Sequence, residues 1–386
     1  MQKKLKILID TIPLLKNLTG IGYVTYIYAK ELRKFPNDYI YYYAWFASSE
    51  LKERPLVSYE KAVDWIKKFV PRPYIVTHSV KTVIFNIIIL LKRPDVFFQP
   101  NYISFKMLKK VPTVTMVHDL SHIHYAHYHP QDRINHYNKE LQRSLDNSKK
   151  IIAISEFTKQ DLVSLGMASE DKIEVIYNGV SDAFKPLQKH LDAHDILKKY
   201  DLEEKSYFLF VGTMEPRKNL NLLLSAYIKY SKKVKVPTPL VLAGGIGWRS
   251  DVFDALLKEA LLLKSVKKVG YVSSEDLPVL YAGAKIFIFP SHYEGFGLPP
   301  LEAMASATAV IASSSSSIPE VLGDAGILID PNNEKELLDA ILDLDADAKK
   351  RKKYELLGAT QAKKFNWQDS AKKLNKVLVD VASLSH

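Results

Sequence analysis

The chain has 386 residues, 47% of them hydrophobic and 25% charged, and no cysteine. That length and apolar content suit two globular domains, and the missing cysteines exclude a disulfide framework and a thiolate nucleophile and suit a reducing compartment. The net charge of +11 is uneven: residues 1–180 carry 26 basic against 17 acidic side chains, residues 181–386 carry 28 against 26.

The opening run from Lys4 turns acidic at Asp10, so it reads as a first strand and not as a signal peptide. The longest apolar run, Val83 to Leu91 with Asn86 inside it, is far short of the roughly 20 residues that cross a bilayer, and no transmembrane helix is expected. A loop with Gly20 and Gly22 precedes a helical pattern over residues 23–34. Such a loop suits a phosphate cradle or a dinucleotide fingerprint, but Thr25 replaces the third glycine and the next strand, 39–46, does not end in an acid.

Residues 59–93 mix Trp65, Phe69 and the apolar run with Lys61, Lys67, Lys68, Arg72, Lys81, Lys92 and Arg93. This composition fits either a helix pair with a solvated basic face or a basic amphipathic segment lying on an anionic membrane surface. Strands at 95–99 and 113–117 follow, and the second delivers His118-Asp119 at its carboxyl end, where open α/β sheets bind ligands. A histidine there is either a hydrogen-bonding partner for a sugar or phosphate, or a local core residue. His122, His124, His127 and His129 have no compact zinc spacing, so no metal is expected; they are assigned to the acceptor side. A helix at 131–145, a strand at 150–154, a helix capped by Ser155, and a strand at 173–177 ending in Asn178-Gly179 complete a first domain over residues 1–180. The charged stretch 181–206 reads as an irregular linker.

A second domain, 207–366, opens with strand 207–211 and then Arg217-Lys218 at the entry to a helix over 220–232. Two cations there oppose the helix dipole, and an anion between them relieves the conflict. After a glycine turn at 244–247, helix 252–263, strand 266–272 and helix 275–284, the apolar strand 285–290 leads into Ser291-His-Tyr-Glu294-Gly-Phe-Gly-Leu-Pro-Pro-Leu-Glu302-Ala-Met-Ala305. The glycines allow a tight path, and Pro299-Pro300 suits a first helical turn. A helix start of this kind holds an anion, typically phosphate. Glu294 and Glu302 flank it and make better sense accepting bonds from neutral hydroxyls. A diphosphate between two sets of hydroxyls describes a sugar nucleotide. A strand at 309–312, a loop of five serines, a strand at 326–329 and helices at 334–344, 349–364 and 369–384 end the chain. No interleaved aromatic and basic motif for nucleic acid is present.

The seven-residue spacer between Glu294 and Glu302, the run EGFGLPPLEAMA with Pro319-Glu320-Val321, the run VGTMEPRKN and the His118-Asp119 pair resemble the retaining glycosyltransferases of family 4, mannosyltransferase-like members of bacterial surface polysaccharide assembly. Ala307 and Ala309 stand where that family usually has Gly and Pro. The resemblance implies a GT-B fold, two doubly wound parallel-sheet domains facing across a cleft, with the last helix, 367–386, crossing back to the first domain. It implies that His118 and Glu294 contact the donor sugar and that Arg217 and Lys218 grip the diphosphate. Gly20, Gly22, Gly295, Phe296, Gly297 and Leu298 would approach the sugar and diphosphate, and Glu302 would hold the ribose. The implied donor is GDP-mannose, with UDP-glucose, GDP-rhamnose or a sugar-nucleotide epimerase as alternatives. No cofactor or metal is implied; the implied acceptor is lipid-linked or glycan, at the cytoplasmic face of the inner membrane.

Overall fold

The computed structural model describes residues 4–15, 20–52, 73–101, 105–126, 131–187, 191–245, 247 and 251–384. They form two compact units: Met1–His124, His129–Asn178 and Trp367–His386 in one, and Tyr125–Tyr128 with Gly179–Asn366 in the other.

The first unit is built on β1 (Lys6–Asp10), β2 (Asp38–Tyr42), β3 (Ala47–Ser48), β4 (Val96–Gln99), β5 (Thr113–Val117), β6 (Lys150–Ala153) and β7 (Ile173–Val175). The sheet order is β3-β2-β1-β4-β5-β6-β7, parallel except for the short β3 at its edge. The expected strand over 39–46 stops at Tyr42, because Ala44 turns through the left-handed region at φ 66°. Helices α1 (Ile21–Leu32), α2 (Pro73–Lys92), α3 (Ser121–His124), α4 (Gln131–Asn147) and α5 (Glu156–Ser164) cover the faces. Successive residues of β4 face opposite layers: Phe97 meets Phe85 of α2 at 5.0 Å, and Phe98 meets Tyr28 of α1 at 6.4 Å. Ser155 caps α5 by accepting the Thr158 amide at 3.0 Å.

The second unit holds β8 (Phe208–Val211), β9 (Leu240–Ala243), β10 (Val266–Gly270), β11 (Ile286–Phe289), β12 (Ala309–Ser313) and β13 (Ile327–Ile329). Its sheet is wholly parallel in the order β10-β9-β8-β11-β12-β13. Its helices are α6 (Leu191–Lys199), α7 (Leu220–Lys233), α8 (Asp251–Leu262), α9 (Leu277–Gly283), α10 (Leu298–Ala305), α11 (Ile318–Leu322), α12 (Glu334–Ala346) and α13 (Ala348–Ala362). The stretch read as irregular linker thus contains a helix, α6, whose Lys199 pairs with Asp276 before α9 at 2.6 Å. Gly244 shows why a glycine turn follows β9: a Cβ there would stand 2.0 Å from the Gly212 carbonyl oxygen.

The last helix, α14 (Trp367–Ser383), belongs to the first unit. Trp367 meets Tyr28 edge-on at 5.4 Å, Ser370 donates to the Tyr177 carbonyl at 2.6 Å, and Leu374 and Leu378 are fully buried.

Candidate functional site

In each sheet the direction of winding reverses beside the first strand, and open α/β sheets bind ligands at the carboxyl ends of the strands on either side of that reversal. In the second unit these strands are β8 and β11, and the segments leaving them carry most of the residues singled out in the sequence.

β8 leaves through a 3-10 turn, Pro216–Lys218, and Asn219, held at φ 55°, turns the chain into α7. The Asn219 side chain donates to the carbonyls of Pro290 at 3.1 Å and Pro331 at 2.7 Å, tying this turn to the segment after β11. The His292 amide donates to the Arg217 carbonyl at 2.9 Å, closing the same junction.

Across it the three charged residues meet. Lys218 Nζ donates to Glu294 Oε1 at 2.7 Å, Arg217 Nη1 to Glu294 Oε2 at 3.2 Å, and Ser291 Oγ to Glu294 Oε1 at 2.6 Å. Arg217 also reaches the Tyr293 carbonyl at 2.6 Å and Glu215 at 2.8 Å. Lys218 and Glu294 are both buried. Burial alone would push the Glu294 carboxyl up, yet the charges of Lys218 and Arg217 and the bonds from Lys218 and Ser291 hold it below its ordinary value. The Lys218 ammonium is lowered, chiefly by burial and then by Arg217, with Glu294 opposing. The sequence suggested an external anion between the cations and a carboxylate reserved for hydroxyls. In the structure the carboxylate of Glu294 is itself the anion between them.

The loop carrying Glu294 is held from beneath by the serine tract after β12. Ser315 Oγ lies 3.1 and 2.9 Å from the Ser291 and His292 carbonyls, Ser316 Oγ accepts the Glu294 amide at 2.8 Å, and Ser317 Oγ donates to the Glu294 carbonyl at 2.9 Å. The loop ends at Gly297, the cap of α10, with φ 104° and no room for a side chain: a Cβ would lie 2.7 Å from Ile318 Cδ1. Gly295 is buried, Leu298 half-buried, and Phe296 is packed inward, edge-on to Phe365 at 5.7 Å. Phe296 therefore has only its backbone to offer a ligand.

Residues 18–184 match the Glycosyltransferase Family 4 domain and residues 192–365 the Glycosyl transferases group 1 domain. The O-antigen chain mannosyltransferase B of Escherichia coli is 37% identical over 274 residues, covering 71% of each chain. The chain belongs to the family 4 glycosyltransferases. A serotype-specific mannosyltransferase WbdA of Escherichia coli is 28% identical over 58% of this chain, which spans 28% of that longer protein. The fold matches that of a sucrose-phosphate synthase from Thermosynechococcus elongatus with a TM-score of 0.75, covering 99% of this chain and 100% of that one at 19% identity. The enzyme is thus a transferase of GT-B fold.

Glu302 lies on α10, half-buried, and burial raises its carboxyl to about 8, with the nearby Tyr281 hydroxyl opposing. His118, Gly20 and Gly22 are carried by the first unit. His118 follows β5 and is buried; its Nε2 donates to the Pro100 carbonyl at 2.7 Å, which leaves Nδ1 as an acceptor. Burial lowers its pKa, so the ring is neutral at physiological pH. Gly20 is the cap of α1 at φ 49°, with no side chain closing the helix start, and Gly22 is buried within the first turn.

Two of the nearby histidines assigned to the acceptor side have partners within the first unit. His122 is buried against Tyr137, with ring centroids 6.0 Å apart, and His124 is committed to Asp161 of α5 at 2.7 Å. His127 and His129 lie outside the described residues. Among the described residues no group of three metal-ligating side chains occurs. Sequence reasoning missed Ser315, Ser316 and Ser317 as supports, and Glu215 as a partner of Arg217. The available signal was a run of hydroxyls at the carboxyl end of the strand next to β11.

Proposed function

We propose that the enzyme is a retaining mannosyltransferase that moves mannose from GDP-mannose to a lipid-linked or glycan acceptor in the synthesis of an O-antigen-like surface polysaccharide. The observation that carries this reading is the buried Arg217–Lys218–Glu294 cluster at the strand reversal of the second unit, in a chain 37% identical to an O-antigen chain mannosyltransferase. In this reading the acceptor hydroxyl attacks the sugar on the face that the diphosphate leaves, and the leaving phosphate takes the acceptor's proton. Arg217 and Lys218 meet the charge that develops on the leaving group, as preorganised cations in a dry site do. Glu294 and His118 hold sugar hydroxyls, the former as carboxylate and the latter through Nδ1. The backbone from Gly295 to Leu298, with Gly20 and Gly22, approaches the sugar and diphosphate, and Glu302 holds the ribose. No metal is needed, because protein cations do its electrostatic work. The enzyme works at the cytoplasmic face of the inner membrane, where a lipid-linked acceptor is presented.

The test is incubation with labelled GDP-mannose, GDP-rhamnose or UDP-glucose and a lipid-linked acceptor, with the product's anomeric configuration read by NMR. Transfer of mannose with retention supports the reading, and Glu294→Ala abolishes most of it in a folded protein. Preferential transfer from another donor replaces mannose in the proposal. Epimerisation or hydrolysis without an acceptor points to a sugar-nucleotide epimerase instead.

A further inference from the structure

Helix α2 is apolar around most of its circumference, and only part of that surface is used within its unit. Phe85, Ile88 and Ile89 pack into a core with Leu8, Phe97 and Val111. On the other side Val80, Val83, Ile87, Leu90 and Leu91 are exposed, with Ile87 at 50% and Leu91 at 75%. Their spacing of three, four and three residues places them along one stripe.

A second element adds an exposed leucine beside this helix. Asn86 of α2 donates to the Lys106 carbonyl at 2.8 Å and accepts the Leu108 amide at 2.7 Å, which fixes Leu108 beside the helix while its side chain is 80% exposed. Single exposed aliphatic residues are ordinary, but five along one face of a helix, with a sixth beside it, mark a surface that meets something.

The charges nearby indicate what it meets. Lys92 and Arg93 at the end of α2, and Lys106, Lys109 and Lys110 around Leu108, are all exposed. Neither residues 78–93 nor residues 105–112 contain an aspartate or glutamate. Among the described residues the face offers aliphatic side chains within a rim of cations, without the mixed charge and exposed aromatic anchors that give protein interfaces their specificity. A helix with an apolar face and a cationic border fits the boundary between headgroups and acyl chains of an anionic bilayer. It would lie on that surface, since no helix among the described residues is long and apolar enough to cross a membrane.

We propose that the outward face of α2, with Leu108, docks this protein onto an anionic lipid bilayer. The face lies within the segment 59–93 whose composition suggested such a surface; Trp65, Phe69, Lys61, Lys67, Lys68 and Arg72 of that segment lie outside the described residues. The inference deepens the membrane location given above by naming the surface that holds it. It is tested without sugar nucleotide or acceptor, so it stands or falls apart from the transfer reaction.

The experiment is sedimentation of the full chain with vesicles of phosphatidylcholine alone and with added phosphatidylglycerol, at low and high salt. Three variants accompany it: V83S/I87S/L91S on the stripe, K109E/K110E on the rim, and Leu262→Ser as a control at an exposed leucine of α8 in the other unit. The wild type and the control are expected to pellet with anionic vesicles, less so at high salt. The stripe variant should lose roughly tenfold or more of its partitioning at an unchanged melting temperature, and the rim variant should lose the salt-sensitive part. Wild type that ignores anionic vesicles, or a stripe variant that binds them equally well, overturns the proposal. So does a stripe variant with a lowered melting temperature and undiminished binding, which would mean that the face packs within the protein.

Discussion

Ser316 accepts the backbone amide of Glu294 on its hydroxyl at 2.8 Å, and does so from a left-handed backbone, φ 53°, that a serine adopts at a cost. Strain of this kind persists where surrounding contacts over-determine it. Here those contacts hold the loop whose carboxylate pairs with Arg217 and Lys218.

The first prediction follows from that support. Ser316→Ala and Ser317→Ala each remove one bond of about 0.5–1.5 kcal/mol to the Glu294 backbone. Each should lower kcat by roughly twofold to tenfold with a smaller change in the donor KM, because the carboxylate is misplaced while the donor's other contacts remain. Steady-state kinetics at varied donor concentration decide it; wild-type kcat in both variants would show that the tract only fills space.

The Lys218–Glu294 pair makes the second. Breaking a buried pair from one side leaves a charge without its partner, at a cost of about 3–5 kcal/mol. Lys218→Met and Glu294→Gln should each destabilise the second unit, Arg217 softening the first loss. The double variant should cost less than the two single losses together, by about 1–3 kcal/mol. Urea denaturation of the four proteins gives the coupling, and strict additivity would deny that the two charges act as a pair.

Much of the second unit's cluster was legible because strand-then-helix patterns locate the carboxyl ends of strands, and Arg217, Lys218 and Glu294 stand at such ends, as His118 does in the first unit. What the sequence did not reveal was the meeting of residues 76 apart. That depends on β8 lying next to β11, an order of strands that local periodicity does not encode. The serine tract read only as a loop for the same reason, since its bonds run to a backbone some 22 residues earlier. The apolar run in α2 signalled a helix but not which side of it faces outward, because a run without polar alternation has no marked face.

A third prediction concerns Ala307, which stands where the resemblance to family 4 leads one to expect glycine. The structure gives it φ 52°, just past the end of α10. The Ala307 amide bonds to the Met304 carbonyl at 3.0 Å and the Thr308 amide to the Ala303 carbonyl at 3.0 Å, the double bonding of a helix terminus that favours glycine. Left-handed backbone costs a non-glycine residue about 1–2 kcal/mol, partly offset by the greater chain entropy that glycine loses on folding. Ala307→Gly should therefore stabilise the protein by about 0.5–1 kcal/mol and leave turnover unchanged. A lowered denaturation midpoint would mean that the alanine methyl contributes packing that outweighs the strain.

The fourth prediction uses the raised carboxyl of Glu302. Burial lifts it from an ordinary 4.5 to about 8 in the folded protein, against the opposing effect of the Tyr281 hydroxyl. The folded chain therefore holds a proton that the unfolded chain releases above pH 4.5. Stability from this group is fully present below that pH, declines as pH rises, and is lost once pH passes about 8. Glu302→Gln, which keeps the shape and cannot ionise, removes the dependence, so the gap between the two proteins should shift in favour of the glutamine variant across that window. In the proposed reading, with Glu302 on the ribose, the same titration bears on the nucleotide: below pH 8 the protonated acid can donate a hydrogen bond to a ribose oxygen, and above it the carboxylate can only accept. Denaturation midpoints of both proteins at intervals from pH 5 to 9 provide the test, with calorimetric GDP binding over the same range. Parallel stability curves would show that Glu302 is already ionised at neutral pH, with its charge reached by water in the folded protein.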